Sequence, residues 1–210
     1  MPEPMAARME PVRRRSWSLL RRPLAAVFAA ATMLLTNPVL PLFIAGAVVA
    51  ATGLGLRVWA RGCIRKNLEV TTAGPYRLTR NPLYLANLGI ILGLVLIAGN
   101  LWLGLAAGVA FPLIFRHLAA IEERFLAGQF GPEYQAYRRA VPRFISLKSL
   151  LRRTPPVPGT GAFSWRRAGT ELLFAAGLAL WVAVAGLVGL GADQPMAFRL
   201  FALARKLLGC

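Results

Sequence analysis

The chain has 210 residues, 57% of them apolar, with a mean hydropathy of +0.55 and 25 Lys and Arg against 8 acidic residues. A single soluble core could not keep that much apolar surface apart from that much positive charge, and at roughly 20 apolar residues per span there is room for about five membrane crossings and little else. Long apolar stretches alternate with basic ones, so the expected fold is an all-α integral membrane protein.

In chain order, residues 1–22 are a basic segment that leads into a first span from about Pro23 to Leu35, with Trp17 suited to the interface just ahead of it. Pro38 and Pro41 interrupt the following chain and no small-residue cleavage motif is clear, so this region reads as an anchor and not as a removed signal peptide. Thr36-Asn37-Pro38 turns the chain into a full-length second span, Val39 to Ala60. Tyr84 to Ala98 is a third span, Gly99-Asn100 a tight turn, and Leu101 to about Ala120 a fourth, so that residues 23–151 form a four-span core with its polar segments. A Pro and Gly-rich linker at 152–168 leads to a fifth span, Thr170 to Leu190, with Glu171 at its edge. Residues 192–210 place Phe198, Phe201, Leu203, Leu207 and Leu208 in the pattern of an amphipathic interfacial helix.

Orientation follows from the basic residues, 22 of 25 of which lie at 1–23, 57–82 and 116–167, on one side of the five spans. The opposite turns at 36–38 and 99–100 carry no charge. The expected placement is an inner or plasma membrane with a cytoplasmic N-terminus and both charged blocks on the cytoplasmic face. The +17 net charge sits beside spans and suits anionic headgroups, so no nucleic-acid partner is expected. Cys63 and Cys210 make neither a metal set nor a disulfide, and His117 is the single histidine, so no metal site is expected. The spans show no charges marking an ion path and no inverted repeat, which weighs against a transporter.

Two polar blocks abut the spans: Gly74 to Tyr84, GPYRLTRNPLY, and Glu122 to Tyr137, EERFLAGQFGPEYQAY. Gly74-Pro75 forces the chain out of helix at headgroup level and frees backbone amides that need a partner, which a polar ligand could supply. Asn81 suits an N-cap whose side-chain oxygen accepts a backbone amide, Pro82 suits the first helical turn, and Tyr76 and Tyr84 suit an interfacial belt. Glu122 and Glu123 point about 100° apart at a helix end whose dipole prefers cations, so one can face the bundle while the other meets solvent or an arginine. A cationic ligand, or a ribose held by hydrogen bonds, would account for the pair.

These two blocks, with EERFLAGQFGPEYQAYRRAVPRFIS extending the second, together resemble the isoprenylcysteine carboxyl methyltransferase family and its relatives, the membrane phospholipid N-methyltransferases. The resemblance implies an integral membrane enzyme that binds S-adenosylmethionine in a cytoplasmic pocket and takes a lipid-like methyl acceptor from the bilayer. It implies cofactor contacts for Gly74, Pro75 and Tyr76 in the Gly-Pro-Tyr turn, for Asn81, Pro82 and Tyr84 in the Arg-His-Pro-x-Tyr element, and for Glu122 and Glu123. Gly53-Leu54-Gly55 resembles the Gly-x-Gly that the phospholipid branch uses with that acidic pair, although small residues also let membrane helices pack. Asn81 stands where the histidine is usual, a replacement similar to the phospholipid branch, which leaves prenylated cysteine carboxylate and phospholipid amine both open as acceptors.

Methyl transfer from a sulfonium is an in-line displacement, so such a protein has to align donor and acceptor and exclude water. A carboxylate acceptor needs no base, whereas an amine or thiol does, and the glutamates, Glu123 in particular, and Tyr137 are the candidates. Arg138, Arg143 and Tyr137 are candidate acceptor contacts, the arginines for a carboxylate or lipid phosphate. The alternative is a non-enzymatic small transporter or scaffold subunit. The fifth span could serve the lipid entrance or a contact with a second copy of the chain.

Overall fold

The computed structural model describes residues 27–65, 68–144 and 161–189; the basic N-terminal segment, the start of the first span, residues 152–160 of the linker and the amphipathic tail with Cys210 lie outside the described residues. Among the described residues the regular structure is all helical. Helical residues at 27–34 (α1) fall in the expected first span. They are followed by α2 (Leu40–Cys63), α3 (Pro82–Ala98), α4 (Leu101–Ala140), a short α5 (Trp165–Ala168) and α6 (Leu172–Gly189), the last two joined by a 3-10 turn at Gly169–Glu171. Three helices, Leu40–Cys63, Leu101–Ala140 and the run Trp165–Leu187, are long and apolar enough to cross a membrane, and Pro82–Ala98 is a shorter apolar helix.

The heart of the bundle is an antiparallel pair of α2 and α3 held at backbone distance by glycines. A Cβ on Gly46 would lie 2.6 Å from the Gly93 carbonyl oxygen, one on Gly93 2.6 Å from the Ala50 nitrogen, and one on Gly53 2.8 Å from the Ala86 oxygen and the Ile90 nitrogen. In a bilayer, where apolar burial between helices gains little, such close approach and its dispersion contacts are what hold helices together. Ala50, Ala86, Ile90 and Ile97 are buried along this seam.

The pairing sorts the two ends of the bundle by charge. At one end the uncharged turns meet: the Asn37 amide donates to the Ala98 carbonyl (2.9 Å), and Gly99 turns at φ 62° beside Asn37, where a Cβ would lie 2.7 Å from its oxygen. Asn100 caps α4 through its side-chain oxygen, which accepts from the Leu103 amide at 3.0 Å. The arginine-rich segments gather at the other end.

Two elements differ from expectation. The fourth span was expected to stop near Ala120, but α4 runs on through the acidic pair to Ala140. Its 40 residues extend about 60 Å, twice the roughly 30 Å hydrocarbon layer, so the last part projects beyond it. Good helix formers at 122–129 carry the helix forward, and Gly131 (φ 51°, ψ −123°) with Pro132 kinks it without ending it. The Pro and Gly-rich linker, read in sequence only as leading to the fifth span, docks in its described part onto the end of α2. The Ser164 amide and the Arg167 Nε both donate to the Gly62 carbonyl at 3.0 Å, Arg167 also donates to the Ala162 carbonyl, and the Phe163 ring fills the space a Gly62 side chain would need.

Candidate functional site

The Gly74–Arg77 segment is a 3-10 turn packed on the end of α2. Gly74 sits at φ 58°, and a Cβ there would lie 2.6 Å from the Cys63 sulfur and 3.1 Å from Trp59 Nε1, so glycine is required on both counts. Pro75 is buried, and its carbonyl accepts from the Leu78 (3.1 Å) and Thr79 (3.2 Å) amides. The groups freed by this turn find partners within the chain: the Tyr76 amide donates to the Ala73 carbonyl (3.2 Å), and the Tyr76 carbonyl accepts the Tyr137 hydroxyl at 2.7 Å.

Asn81 occupies the N-cap position of α3, with Pro82 buried in the first turn, but its side chain makes no cap bond. The amide Nδ2 is turned inward and donates to Glu123 Oε1 (3.1 Å) and to the Arg143 carbonyl (3.3 Å). The expected capping bond is therefore replaced, because a buried carboxylate is a stronger acceptor partner than a helix terminus is a donor. Glu123 is 4% exposed and satisfied on every side. Arg143 donates to it through Nε (3.0 Å) and Nη2 (2.8 Å) in a bidentate fork, and Arg80 Nη1 lies 3.3 Å from Oε2. Backbone straps fix the same knot: the Arg80 amide donates to the Pro142 carbonyl (3.0 Å) and Thr79 Oγ1 to the Arg143 carbonyl (2.8 Å).

Glu122 has a different environment. It is half-buried and accepts the Tyr84 hydroxyl at 3.0 Å, while the Tyr84 ring lies 5.6 Å from that of Phe115. The two glutamates thus divide as their 100° separation predicts, but it is the bundle-facing one that meets the arginines. Tyr76 is buried against Ala60 and Cys63, and its hydroxyl has no hydrogen-bond partner among the described residues. Burial holds this phenol well above its ordinary titration range, with the negative charge of Glu122 adding to the effect and Arg61 opposing it.

The remaining candidates separate. Gly53 is consumed by helix packing, while a Cβ on Gly55 would meet nothing within 4 Å. Tyr137 is buried in the cluster of Val70, Tyr134 and Val141 with its proton given to Tyr76. Arg138 is exposed and lines an open depression of about 360 Å³ with Ala127, Gln135 and Arg139, whereas Arg143 is committed to Glu123. Glu122, Tyr76 and Gly55 therefore have groups or space to offer a ligand, and the Tyr84 hydroxyl is already bonded to Glu122.

Sequence reading passed over a second polar assembly. Arg57, inside α2, donates through Nε to Glu171 (2.6 Å) and through Nη1 to Asn87 on α3, and its guanidinium lies 4.5 Å from the Phe174 ring centre. The i, i+4 spacing of Arg57 and Arg61, and a lone acid at the start of the fifth apolar run, were the available signals.

The phospholipid methyltransferase family matches this chain at residues 41–133, which take in α2, the Gly74–Arg77 turn, α3 and α4 up to its kink. The cobalt-zinc-cadmium resistance protein CzcN of Cupriavidus metallidurans is 41% identical over 98 residues, 46% of this chain and 45% of that protein. The nickel-cobalt-cadmium resistance protein NccN of Alcaligenes xylosoxydans xylosoxydans is 34% identical over 109 residues, 51% of this chain and 49% of that protein. The matches thus span about half the length of these curated relatives. No solved structure matches the chain.

Proposed function

From a chain whose residues 41–133 carry the phospholipid methyltransferase family's segment, we propose an S-adenosylmethionine-dependent methyltransferase that modifies a lipid-like acceptor at the cytoplasmic face of an inner or plasma membrane. The observation that carries this reading is the convergence of both polar blocks on one end of the bundle, with Asn81 of the first bonded directly to Glu123 of the second. Glu122 keeps acceptor capacity beside the unpartnered Tyr76 hydroxyl, a combination that suits a ligand bearing hydroxyls and a positive charge.

Glu122, Tyr76, Tyr84 and the open backbone at Gly55 would hold the cofactor, and the Asn81–Glu123–Arg143 knot fixes the frame on which they stand. S-adenosylmethionine supplies an electrophilic methyl group on a sulfonium. Glu122 would contribute negative charge that attracts that centre. For a carboxylate acceptor no residue has to take a proton. For an amine, Glu122 is the carboxylate with free capacity to act as base, while Glu123 and Tyr137 act through position. Arg138, unpaired with Glu123 and open to solvent, is the candidate for an acceptor's carboxylate or phosphate.

The test is methyl transfer from labelled S-adenosylmethionine to lipid extracts and synthetic acceptors, with the product identified by mass. The relatives are named for resistance to cobalt, zinc, nickel and cadmium, so extracts from cells grown with those metals belong in the panel. Cofactor binding without any labelled product would refute the catalytic reading. Absence of binding would favour a scaffold or transport subunit.

A further inference from the structure

The charge-rich end of α2 holds an unbalanced set of charges that the proposed methyl-transfer residues do not use. Arg57 and Arg61 stand one turn apart and share a single carboxylate, Glu171, whose side chain is 8% exposed. Arg57 is engaged on three sides, by Glu171, Asn87 and the Phe174 ring. Arg61 is engaged on one: its Nε lies 3.5 Å from Glu171 Oε1 and donates to Thr170 Oγ1 at 3.4 Å. Its two terminal amines make no hydrogen bond among the described residues, and its side chain is 36% exposed.

Tyr76 packs against Ala60, next to Arg61 on α2, and against Cys63 two residues on, and its buried hydroxyl has no hydrogen-bond partner among the described residues. A guanidinium held by its Nε edge presents the other two nitrogens as a planar fork, and a neutral phenol adds a third donor. With two cations to one anion around Glu171, the assembly carries one positive charge in excess among the described residues, where the two terminal Arg61 nitrogens and the Tyr76 hydroxyl meet no acceptor.

We propose that Arg61, seated by Glu171 and Thr170 and assisted by the Tyr76 hydroxyl, binds an oxyanion: a carboxylate or a phosphate of the ligand taken at this end of the bundle. The proposal rests on the methyltransferase reading for which ligands come there, and it gives the C-terminal segment a role, since Glu171 and Thr170 lie beyond residues 41–133. The carboxylate would be that of the methyl donor's amino-acid end. The phosphate would be that of a lipid headgroup.

The experiment uses the full chain in detergent micelles and titrates three probes by calorimetry: S-adenosylmethionine, its decarboxylated analogue, and dihexanoyl phosphatidate. If the donor's carboxylate is read, the wild-type chain prefers S-adenosylmethionine over the decarboxylated analogue by about tenfold or more, the worth of a charge-assisted pair. Arg61→Gln then abolishes that preference, and Glu171→Gln, which frees Arg61 from its seat, reduces it. If a lipid phosphate is read, phosphatidate binding falls by a similar factor in both variants while the donor preference stays. Wild-type chain that binds S-adenosylmethionine without preference over its analogue, and does not bind phosphatidate, overturns the proposal whatever the variants do. So does a chain in which the donor preference and the phosphatidate affinity both survive Arg61→Gln unchanged. Failure of the methyltransferase reading is distinct: S-adenosylmethionine does not bind at all, and the phosphatidate titration still decides on the oxyanion site.

Discussion

Glu123→Gln should be among the most destabilising single changes in this chain, although the replacement is nearly isosteric. Glu123 is 4% exposed, accepts from Asn81 Nδ2 at 3.1 Å and from two Arg143 nitrogens at 3.0 and 2.8 Å, and forms an ion pair with the Arg80 guanidinium at 3.3 Å. A glutamine keeps one oxygen acceptor but replaces the other with a donor that faces donors. Arg80, itself 9% exposed, loses the one carboxylate paired with it among the described residues. Leaving a buried charge uncompensated costs about 3–5 kcal/mol. For a chain of this size that corresponds to a midpoint shift of roughly 6–20 °C in thermal unfolding. Glu122→Gln is the internal control, because its side chain is half-buried and glutamine can still accept the Tyr84 hydroxyl; the expected loss is about 1 kcal/mol or less. Thermal unfolding of both variants in one detergent gives the comparison. Equal shifts for the two, or a larger shift for Glu122→Gln, would refute the assignment of Glu123 as the structural member of the pair.

Three other outcomes are expected. Gly74→Ala should destabilise the fold by about 1–3 kcal/mol in chemical unfolding, because φ 58° disfavours any Cβ and this one would lie 2.6 Å from the Cys63 sulfur. Gly53→Val should disrupt the α2–α3 seam and abolish the folded monodisperse species on size-exclusion chromatography, whereas Gly55→Ala, with open space around it, should leave stability unchanged or slightly raised. Tyr76→Phe should stabilise the protein, since it removes a buried hydroxyl with no partner, while weakening ligand binding. The Tyr76 phenol is raised in the folded state, so its contribution to stability is present below the ordinary tyrosine range near pH 10 and is lost as pH rises above it. Wild-type stability should therefore fall above about pH 10 more steeply than that of Tyr76→Phe.

Hydropathy alone was enough to place α2, α3, the start of α4 and α6, each an apolar run, with the turns expected at 36–38 and 99–100 lying between helices of the structure. The end of α4 was not legible. The apolar run marks only where the span ends; Glu122, Glu123, Arg124, Leu126 and Ala127 are good helix formers that leave the hydrocarbon as helix, and the chain stays helical past Gly128, Gly131 and Pro132. The site was legible as a pair of blocks, but not the division of labour within it. Asn81 in a sequence is an N-cap, and only the Glu123 carboxylate arriving 42 residues later turns its amide inward. Arg57 illustrates the same point: in a span it looks like a misplaced charge until Asn87 and Glu171 are brought to it from 30 and 114 residues away.

The central claim is that the two polar blocks form one pocket for a methyl donor with Glu122 as its open carboxylate. The most direct measurement is equilibrium binding of S-adenosylmethionine to the purified full chain, compared with Glu122→Gln after thermal unfolding has shown that the variant remains folded. The account predicts saturable binding to the wild-type chain and a loss of about tenfold or more in affinity for Glu122→Gln. Unchanged affinity in the folded variant, or no binding to the wild-type chain, would contradict it.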